Sequence, residues 1–297
     1  FMQLTFLGTS SMVPTKERNH SSILISYGSE NILVDCGEGT QRQLKIAGIK
    51  LAKITRILIS HWHGDHVLGL PGLIQSMSSS GFNKTLNIYG PKGTKKLIEK
   101  MFEVFGFDQK FEIKVNEVKS GKFFENDEFI LETGQLEHNI ETLGFRLEEK
   151  DKRKINLGFV KKLGIPEGPL LGRLQDGKSI IWKGKKIDVD KATNRVKGKS
   201  VAIITDTVPC KGAYKLAKDV DLLVSEATYA SDLEEKSTEY GHMTAKQAAE
   251  MANRSNAKQL ILTHFSARYK NTSELEDEAR TYFDNVITAE DFMKINI

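Results

Sequence analysis

The stretch Ser60 to His66, S-H-W-H-G-D-H, constrains this chain more than any other. Three of only seven histidines fall within six positions, directly after the apolar run Ile54 to Ser60, whose pattern reads as a strand. On a strand, His61 and His63 point the same way, because side chains alternate. Gly64 has no Cβ and permits a sharp turn, after which Asp65 and His66 present a second set of donors at the start of a helix. Two imidazoles make half of a zinc site, and a carboxylate with an imidazole makes half of another.

A metal site needs partners from elsewhere in the chain, and the ends of other expected strands offer them. His138 follows E-F-I-L-E-T-G-Q-L-E, Asp206 follows V-A-I-I-T, and His264 follows Q-L-I-L-T. Each candidate comes just after an apolar strand, which places them all at one edge of the sheets. A lone histidine is ordinarily a satisfied polar group, but here five of seven occupy metal-compatible positions. Two metals about 3.5–4 Å apart, bridged by a carboxylate, suit in-line displacement at phosphorus.

The remaining pattern supplies a scaffold. Strands are expected at Gln3 to Leu7, Ser22 to Ser26, Asn31 to Asp35, Val201 to Thr205, Leu222 to Ser225 and Gln259 to Thr263, with more between Glu112 and Leu147. Val67, Leu70, Leu73, Ile74 and Met77 have helical spacing, as do Thr94 to Val104 and Thr244 to Arg254, the last opened by a threonine cap. Two β-rich halves with helices outside make an α/β sandwich. L-G-I-P-E-G-P-L-L-G-R-L-Q-D-G breaks the pattern, so about 150–178 reads as a loop-rich arm inserted into a single domain spanning 1–297. Residues 150–199 hold 15 Lys or Arg against five acids, a net +10, while the rest of the chain is −6.

No run of about 18 apolar residues and no basic-then-apolar leader is present, so a soluble, intracellular protein is expected. Phe1 precedes Met2, which is the expected natural start. Cys36 and Cys210 read as packed thiols, and His20 as a structural residue.

H-W-H-G-D-H resembles the H-x-H-x-D-H motif of the metallo-β-lactamase superfamily. The resemblance implies a four-layer αβ/βα sandwich and a dinuclear zinc site, and leaves the substrate open. F-L-G-T-S-S-M-V-P-T-K-E-R-N, V-D-C-G-E-G-T-Q-R-Q-L, I-Y-G-P-K-G, G-I-P-E-G-P-L-L-G-R-L, I-T-D-T, S-E-A-T-Y, G-H-M-T and T-H-F-S-A-R-Y are similar, in order, to stretches of the ribonuclease Z family, the endonucleases that remove the 3′ trailer of precursor tRNA. The likeness runs from about residue 3 to 269; one departure is Ser225, where that family usually has histidine.

This resemblance implies that His61, His63 and His138 hold one zinc, that Asp65, His66 and His264 hold the other, and that Asp206 bridges them. Manganese or iron are possible substitutes. It implies that Asp65 orients the attacking water and accepts its proton, and that His242, oriented by Glu226, protonates the leaving 3′ oxygen. The tRNA keeps a 3′ hydroxyl and the trailer a 5′ phosphate. Lys16 and Arg18 in P-T-K-E-R-N and Arg268 in T-H-F-S-A-R-Y are candidate phosphate contacts. Gly168 and Pro169 belong to the flexible arm that the family uses to clamp the tRNA body, and they lie in the basic segment. A cytoplasmic homodimer is implied, in which one subunit's arm serves the other's active site, with no membrane association and no organic cofactor. The alternatives are a small-molecule hydrolase of the same fold (a phosphodiesterase, lactonase or arylsulfatase) and a non-catalytic RNA-binding subunit.

Overall fold

Period-two apolar runs make strands from the start of the chain, and the computed structural model describes them within residues 2–106 and 109–297. Phe1 lies outside the described residues. In chain order the first sheet takes β1 (Met2–Gly8), β2 (Ser22–Tyr27), β3 (Glu30–Val34), β4 (Arg56–Leu58), β5 (Leu86–Gly90) and β6 (Ile113–Glu117). β7 (Gly121–Glu125), β8 (Phe129–Leu136) and β9 (Thr142–Glu149) belong to the second. After four short strands, β10 (Lys152–Ile155), β11 (Ile180–Trp182), β12 (Lys185–Ile187) and β13 (Thr193–Val196), the second sheet resumes. It takes β14 (Ser200–Ile204), β15 (Leu222–Glu226), β16 (Leu260–Thr263) and β17 (Val286–Thr288), and β18 (Lys294–Asn296) returns to the first sheet. The orders are β18-β1-β2-β3-β4-β5-β6 and β17-β16-β15-β14-β9-β8-β7.

Within these sheets β3 to β6 and β14 to β17 are parallel, which sends their carboxyl ends to one edge. Helices cover one face of each sheet. α1 (Thr40–Ile46), the short α2 (Gly64–Val67), α3 (Leu70–Ser79) and α4 (Thr94–Val104) accompany the first, and Leu44, Leu70, Leu73, Ile74, Met77 and Ile98 pack against Leu24, Leu33, Ile57 and Ile88. Each such full burial stabilises by about 1.5–3 kcal/mol, which outweighs the roughly 1 kcal/mol cost of Gly72 inside α3.

In the smaller of two compact units, formed by Glu125–Ile130 and Glu148–Lys199, lie α5 (Leu157–Lys162), α6 (Pro169–Gln175) and α7 (Val189–Ala192). The larger unit holds α8 (Lys211–Ala217), α9 (Glu234–Glu239), α10 (Ala245–Arg254) and α11 (Ser273–Arg280). Ala213, Leu216, Ala248, Ala252 and Leu275 of these helices pack on Ala202, Ile204, Leu223 and Leu262. α10 starts with a capping box, in which Thr244 accepts from Gln247 N and the Gln247 side chain accepts from Thr244 N. The architecture is the expected αβ/βα sandwich.

Two expectations change and one is refined. The strand expected through Ser60 stops at Leu58, so His61 and His63 lie on an extended segment beyond it. Within the strand-rich stretch Glu112 to Leu147, a further strand at Gly121–Glu125, between the runs K-F-E-I-K-V and E-F-I-L-E-T, forms the edge of the second sheet. The arm is not loop-rich: the smaller unit runs to Lys199 and has its own core of Val160, Ile165, Leu174, Ile180, Ile187 and Ala192. Glycine and proline punctuate helices there instead of breaking them. Gly164, in the left-handed region at φ 65°, follows α5, and Pro169 occupies the first turn of α6, where a missing N–H costs nothing. The unit also takes in Glu125, Asp127, Glu128, Glu148 and Glu149, which lowers its net charge from the +10 of residues 150–199 to +5. Among the described residues, no helix is long and apolar enough to cross a membrane.

Candidate metal centre

The strand ends bring two groups of donors together. In the first, His61 Nε2 lies 3.1 Å from His63 Nδ1, which lies 3.2 Å from His138 Nε2. Asp206 Oδ2 completes it, 3.5 Å from His61 Nε2 and 3.8 Å from His138 Nε2. In the second, His66 Nε2 and His264 Nε2 are 3.2 Å apart, and Asp65 Oδ2 lies 3.3 and 3.4 Å from them. The other oxygen of Asp206, Oδ1, completes this group at 3.4 and 3.1 Å. The carboxylate of Asp206 therefore spans both groups.

Seven expected ligands thus converge, and their chemistry fits divalent metal. A tetrahedral ion with ligands at about 2.0–2.1 Å has ligand–ligand edges of about 3.3–3.4 Å, close to the observed spacings. Asp65 Oδ1 and Asp206 Oδ1 are buried and, despite the nearby imidazoles, accept no well-aligned hydrogen bond among the described residues, a costly state that a cation relieves. Each converging imidazole except His63 has its other nitrogen occupied: His61 Nδ1 by Ser60 Oγ (2.9 Å), His66 Nδ1 by Asp35 Oδ2 (2.7 Å), His138 Nδ1 by Gly241 O (2.8 Å) and His264 Nδ1 by Thr228 Oγ1 (3.0 Å). Such partners orient ligand imidazoles.

Electrostatics point the same way. Burial, together with the neighbouring imidazoles, holds His61 and His63 below the usual histidine range. Burial also opposes charge on Asp65, Asp206 and His66. For both carboxyls the adjacent histidines outweigh it and lower the pKa, and for His66 the carboxylates of Asp206, Asp35 and Asp65 outweigh it and raise the pKa.

Beside the second group, His242 Nδ1 lies 3.0 Å from Oε1 of the fully buried Glu226. Burial disfavours the His242 cation, but Glu226 overcomes this and raises its pKa to about 9. Glu226 itself is tied to Thr207 N (2.8 Å) and Thr228 Oγ1 (2.6 Å). Ser225, in place of the usual histidine, donates to the carbonyl of Glu226 at 3.1 Å and sits fully buried in β15. A cleft of about 300 Å³ opens onto His63, Asp65, His138, Asp206, His242 and His264, and Met12, Tyr229 and Tyr240 also line it. A larger hollow of about 940 Å³ beside α1 and α3 is lined by Arg42, Lys45 and Lys50 and by no imidazole or carboxylate, so it offers no such chemistry.

The candidate phosphate contacts separate. Lys16 is exposed, and Arg268 is exposed with its guanidinium 5.4 Å from the ring centre of Tyr229, at the cleft. Arg18 is turned inward: only 8% exposed, it donates to the carbonyl of Tyr269 and pins its loop, because burial of a guanidinium requires an acceptor. Gly168 and Pro169 are exposed at the start of α6 in the smaller unit. His20 Nε2 meets Met12 O at 3.1 Å, and Cys36 and Cys210 are buried and unpaired.

Asp35, Ser60 and Thr228 did not emerge from the sequence. Asp35 carried a readable signal, since it follows the apolar run N-I-L-V as Asp206 follows V-A-I-I-T. Its φ of 58° and that of His264, 62°, are left-handed conformations of a kind stored at functional sites. Close backbone approach makes room for this. A Cβ on Gly37 would lie 2.4 Å from Asp65 O, and one on Gly69 2.1 Å from Gly37 O.

This fold, with two histidine and aspartate groups at the carboxyl edge of its sheets, defines a metallo-β-lactamase-type protein. The family model described as Beta-lactamase superfamily domain matches residues 190–265, and that described as Anti-Pycsar protein Apyc1 matches residues 2–150. Ribonuclease Z of Archaeoglobus fulgidus is 41% identical over 300 residues, covering 99% of this chain and 97% of that protein. Ribonuclease BN of Proteus mirabilis is 40% identical, with 98% of each covered. The crystal structure of human tRNase Z, short form, superposes with a TM-score of 0.73 at 30% identity, covering 99% of both chains. The chain belongs to the ribonuclease Z family, metal-dependent endoribonucleases of the metallo-β-lactamase superfamily.

Proposed function

We propose that this chain is a zinc-dependent endoribonuclease that removes the 3′ trailer from precursor tRNA, leaving a 3′ hydroxyl on the tRNA and a 5′ phosphate on the trailer. The observation that carries the reading is the placement of His242, held by Glu226, beside two donor groups joined by Asp206. Full-length similarity to ribonucleases Z supports the substrate.

His61, His63, His138 and Asp206 would hold one ion, and Asp65, His66, His264 and Asp206 the other. Five imidazoles with two carboxylates favour zinc, with manganese or iron as substitutes, over calcium or magnesium. When bound, the pair supplies Lewis acidity at phosphorus and hydroxide at neutral pH. Asp65 turns Oδ2 toward His66 and His264 and leaves Oδ1 unpartnered, so Oδ1 orients the attacking water and takes its proton. Because His242 Nδ1 is engaged by Glu226, Nε2 carries the proton delivered to the leaving 3′ oxygen. Attack by the 2′ hydroxyl is not required, so selection of RNA falls to binding.

Arg268 beside Tyr229 suits the scissile phosphate, and Lys16 the backbone next to it. The smaller unit, with Gly168 and Pro169 at a helix start, would bind the tRNA body through its exposed cations. The family resemblance extends the reading to a cytoplasmic homodimer.

The test is incubation of end-labelled precursor tRNA with wild type and His63→Ala. Wild type should release one trailer with a 5′ phosphate, and His63→Ala should not. Intact precursor with wild type, or cleavage unchanged by the substitution, refutes the reading.

A further inference from the structure

Two hydroxyls repeat one arrangement. Ser60 Oγ lies 2.7 Å from Asp35 Oδ2 and 2.9 Å from His61 Nδ1. Thr228 Oγ1 lies 2.6 Å from Glu226 Oε2 and 3.0 Å from His264 Nδ1. Each carboxylate also takes a second imidazole directly, Asp35 that of His66 at 2.7 Å and Glu226 that of His242 at 3.0 Å. All of these residues except His242 are buried.

A hydroxyl has one hydrogen to donate, and a carboxylate only accepts. If Ser60 gave its hydrogen to His61 Nδ1, Asp35 Oδ2 would face an oxygen lone pair at 2.7 Å; Thr228 and Glu226 Oε2 would meet the same clash at 2.6 Å. Hydrogen bonds to a carboxylate are the shorter and stronger kind, so both hydroxyls donate to their carboxylates. Each is then left with lone pairs alone toward its imidazole, and that imidazole must be the donor. The carbonyl of His264, 3.1 Å from Thr228 Oγ1, cannot take the same hydrogen. His61 and His264 therefore carry their hydrogens on Nδ1. The lone pair of each is on Nε2, the atom that enters the ligand group.

We propose that Ser60 and Thr228 are positioning residues: each stands between a buried carboxylate and one ligand histidine, and locks that histidine in the Nδ1–H tautomer. One acts on each metal position, His61 in the first and His264 in the second. The inference rests on the metal-ligand assignment of the preceding subsection, and its readout is metal binding, independent of RNA cleavage. Without the hydroxyl, an imidazole is free to protonate Nε2, and metal must then displace that proton.

Zinc affinity by chelator competition on wild type, Ser60→Ala, Thr228→Val, the double variant and Thr228→Ser tests this. Ser60→Ala and Thr228→Val should each weaken one of two zinc equivalents about 10–100-fold, and Thr228→Ser should stay within about threefold of wild type. In the double variant both equivalents weaken, because the single variants act on different ones. Unchanged affinity of both equivalents in either single variant overturns the proposal, as does an equal loss in Thr228→Ser and Thr228→Val. Should a variant not fold, nitrogen NMR of zinc-free wild type reads the tautomers directly, with Nδ1–H expected for His61 and His264. A proton on Nε2 of either overturns the proposal. Wild type that binds no zinc overturns the ligand assignment, and this proposal with it.

Discussion

The two donor groups share Asp206 and a similar geometry, yet they differ in what surrounds them. Asp65, His66, Asp206 and His264 are all buried, whereas in the other group His63 is only partly buried, although the His138 imidazole is itself buried. One histidine of each group reaches a carboxylate through a hydroxyl, His61 that of Asp35 through Ser60 and His264 that of Glu226 through Thr228; the groups differ in that His66 rests directly on the carboxylate of Asp35, while His138 is held only by the neutral carbonyl of Gly241. Carboxylate partners make imidazole a more basic ligand, and burial slows exchange with solvent. On the proposed ligand assignment, the second group would therefore retain an ion more firmly, and the first would give one up more readily.

The largest effect that would break this contrast comes from His66→Ala set against His138→Ala. In the metal-free protein burial opposes charge on His66, but the carboxylates of Asp206, Asp35 and Asp65 outweigh it and favour the cation. Removing His66 takes the imidazole shared by three buried carboxylates away from them, which costs about 3–5 kcal/mol. His138→Ala removes one hydrogen bond to a carbonyl, worth about 0.5–1.5 kcal/mol. Denaturant unfolding of the metal-free variants checks this, and equal losses would erase the distinction. Both variants should lose precursor cleavage, by a factor of at least about a thousand given the several kcal/mol that a metal ion contributes.

Graded chelation comes next. Metal release should be biphasic, and cleavage should fall with the first equivalent, the ion of the less buried group. A single phase, or cleavage that survives loss of the first equivalent, would contradict the contrast. Glu226→Gln bears on the buried side. It removes the charge that raises the His242 pKa to about 9. His242 would then lose its proton at lower pH, so the alkaline limb of the pH–rate profile should move down, and turnover should fall about 10²–10⁴-fold. An unmoved alkaline limb would remove Glu226 from this role.

Much of the site was legible because strands deliver the residues that follow them to one edge, the parallel strands β14 and β16 in the case of Asp206 and His264 and β8 in the case of His138. His138, Asp206 and His264 could be placed from the apolar runs before them without any knowledge of the sheet order. Asp35 obeys the same rule and was passed over because V-D-C-G contains no histidine to draw attention to it. Ser60 and Thr228 were not legible, since a hydroxyl serves caps, turns and strands alike and only its neighbours assign it a role. Arg18 read as a candidate phosphate contact because charge alone does not reveal that the carbonyl of Tyr269 is near enough to accept from it. In the smaller unit, glycine and proline were read as breakers, but their positions at helix ends decide the outcome, and Gly164 and Pro169 occupy such ends. Its moderated charge depends on acids from Glu125–Ile130 and on Glu148 and Glu149, which no window over 150–199 includes.

Arg268 should give the smallest effect. Its guanidinium lies over Tyr229, outside both donor groups, and it forms no ion pair among the described residues. Arg268→Ala should therefore leave both zinc equivalents and their release order unchanged, unlike any substitution at a donor. What it should change is RNA binding. One lost phosphate contact lowers the slope of log affinity against log salt by about one, uniformly across precursor tRNAs. Arg268→Lys should restore that slope while losing the guanidinium beside Tyr229, so its affinity at a given salt concentration should fall between those of alanine and wild type. The measurement is affinity for precursor tRNA across a salt series, with zinc content determined on the same samples. If Arg268→Ala loses metal, the less buried group extends further toward solvent than its ligands indicate. If it leaves the salt slope unchanged, the scissile phosphate is held by the donor groups alone, and the open side of the centre binds substrate without help from the protein around it.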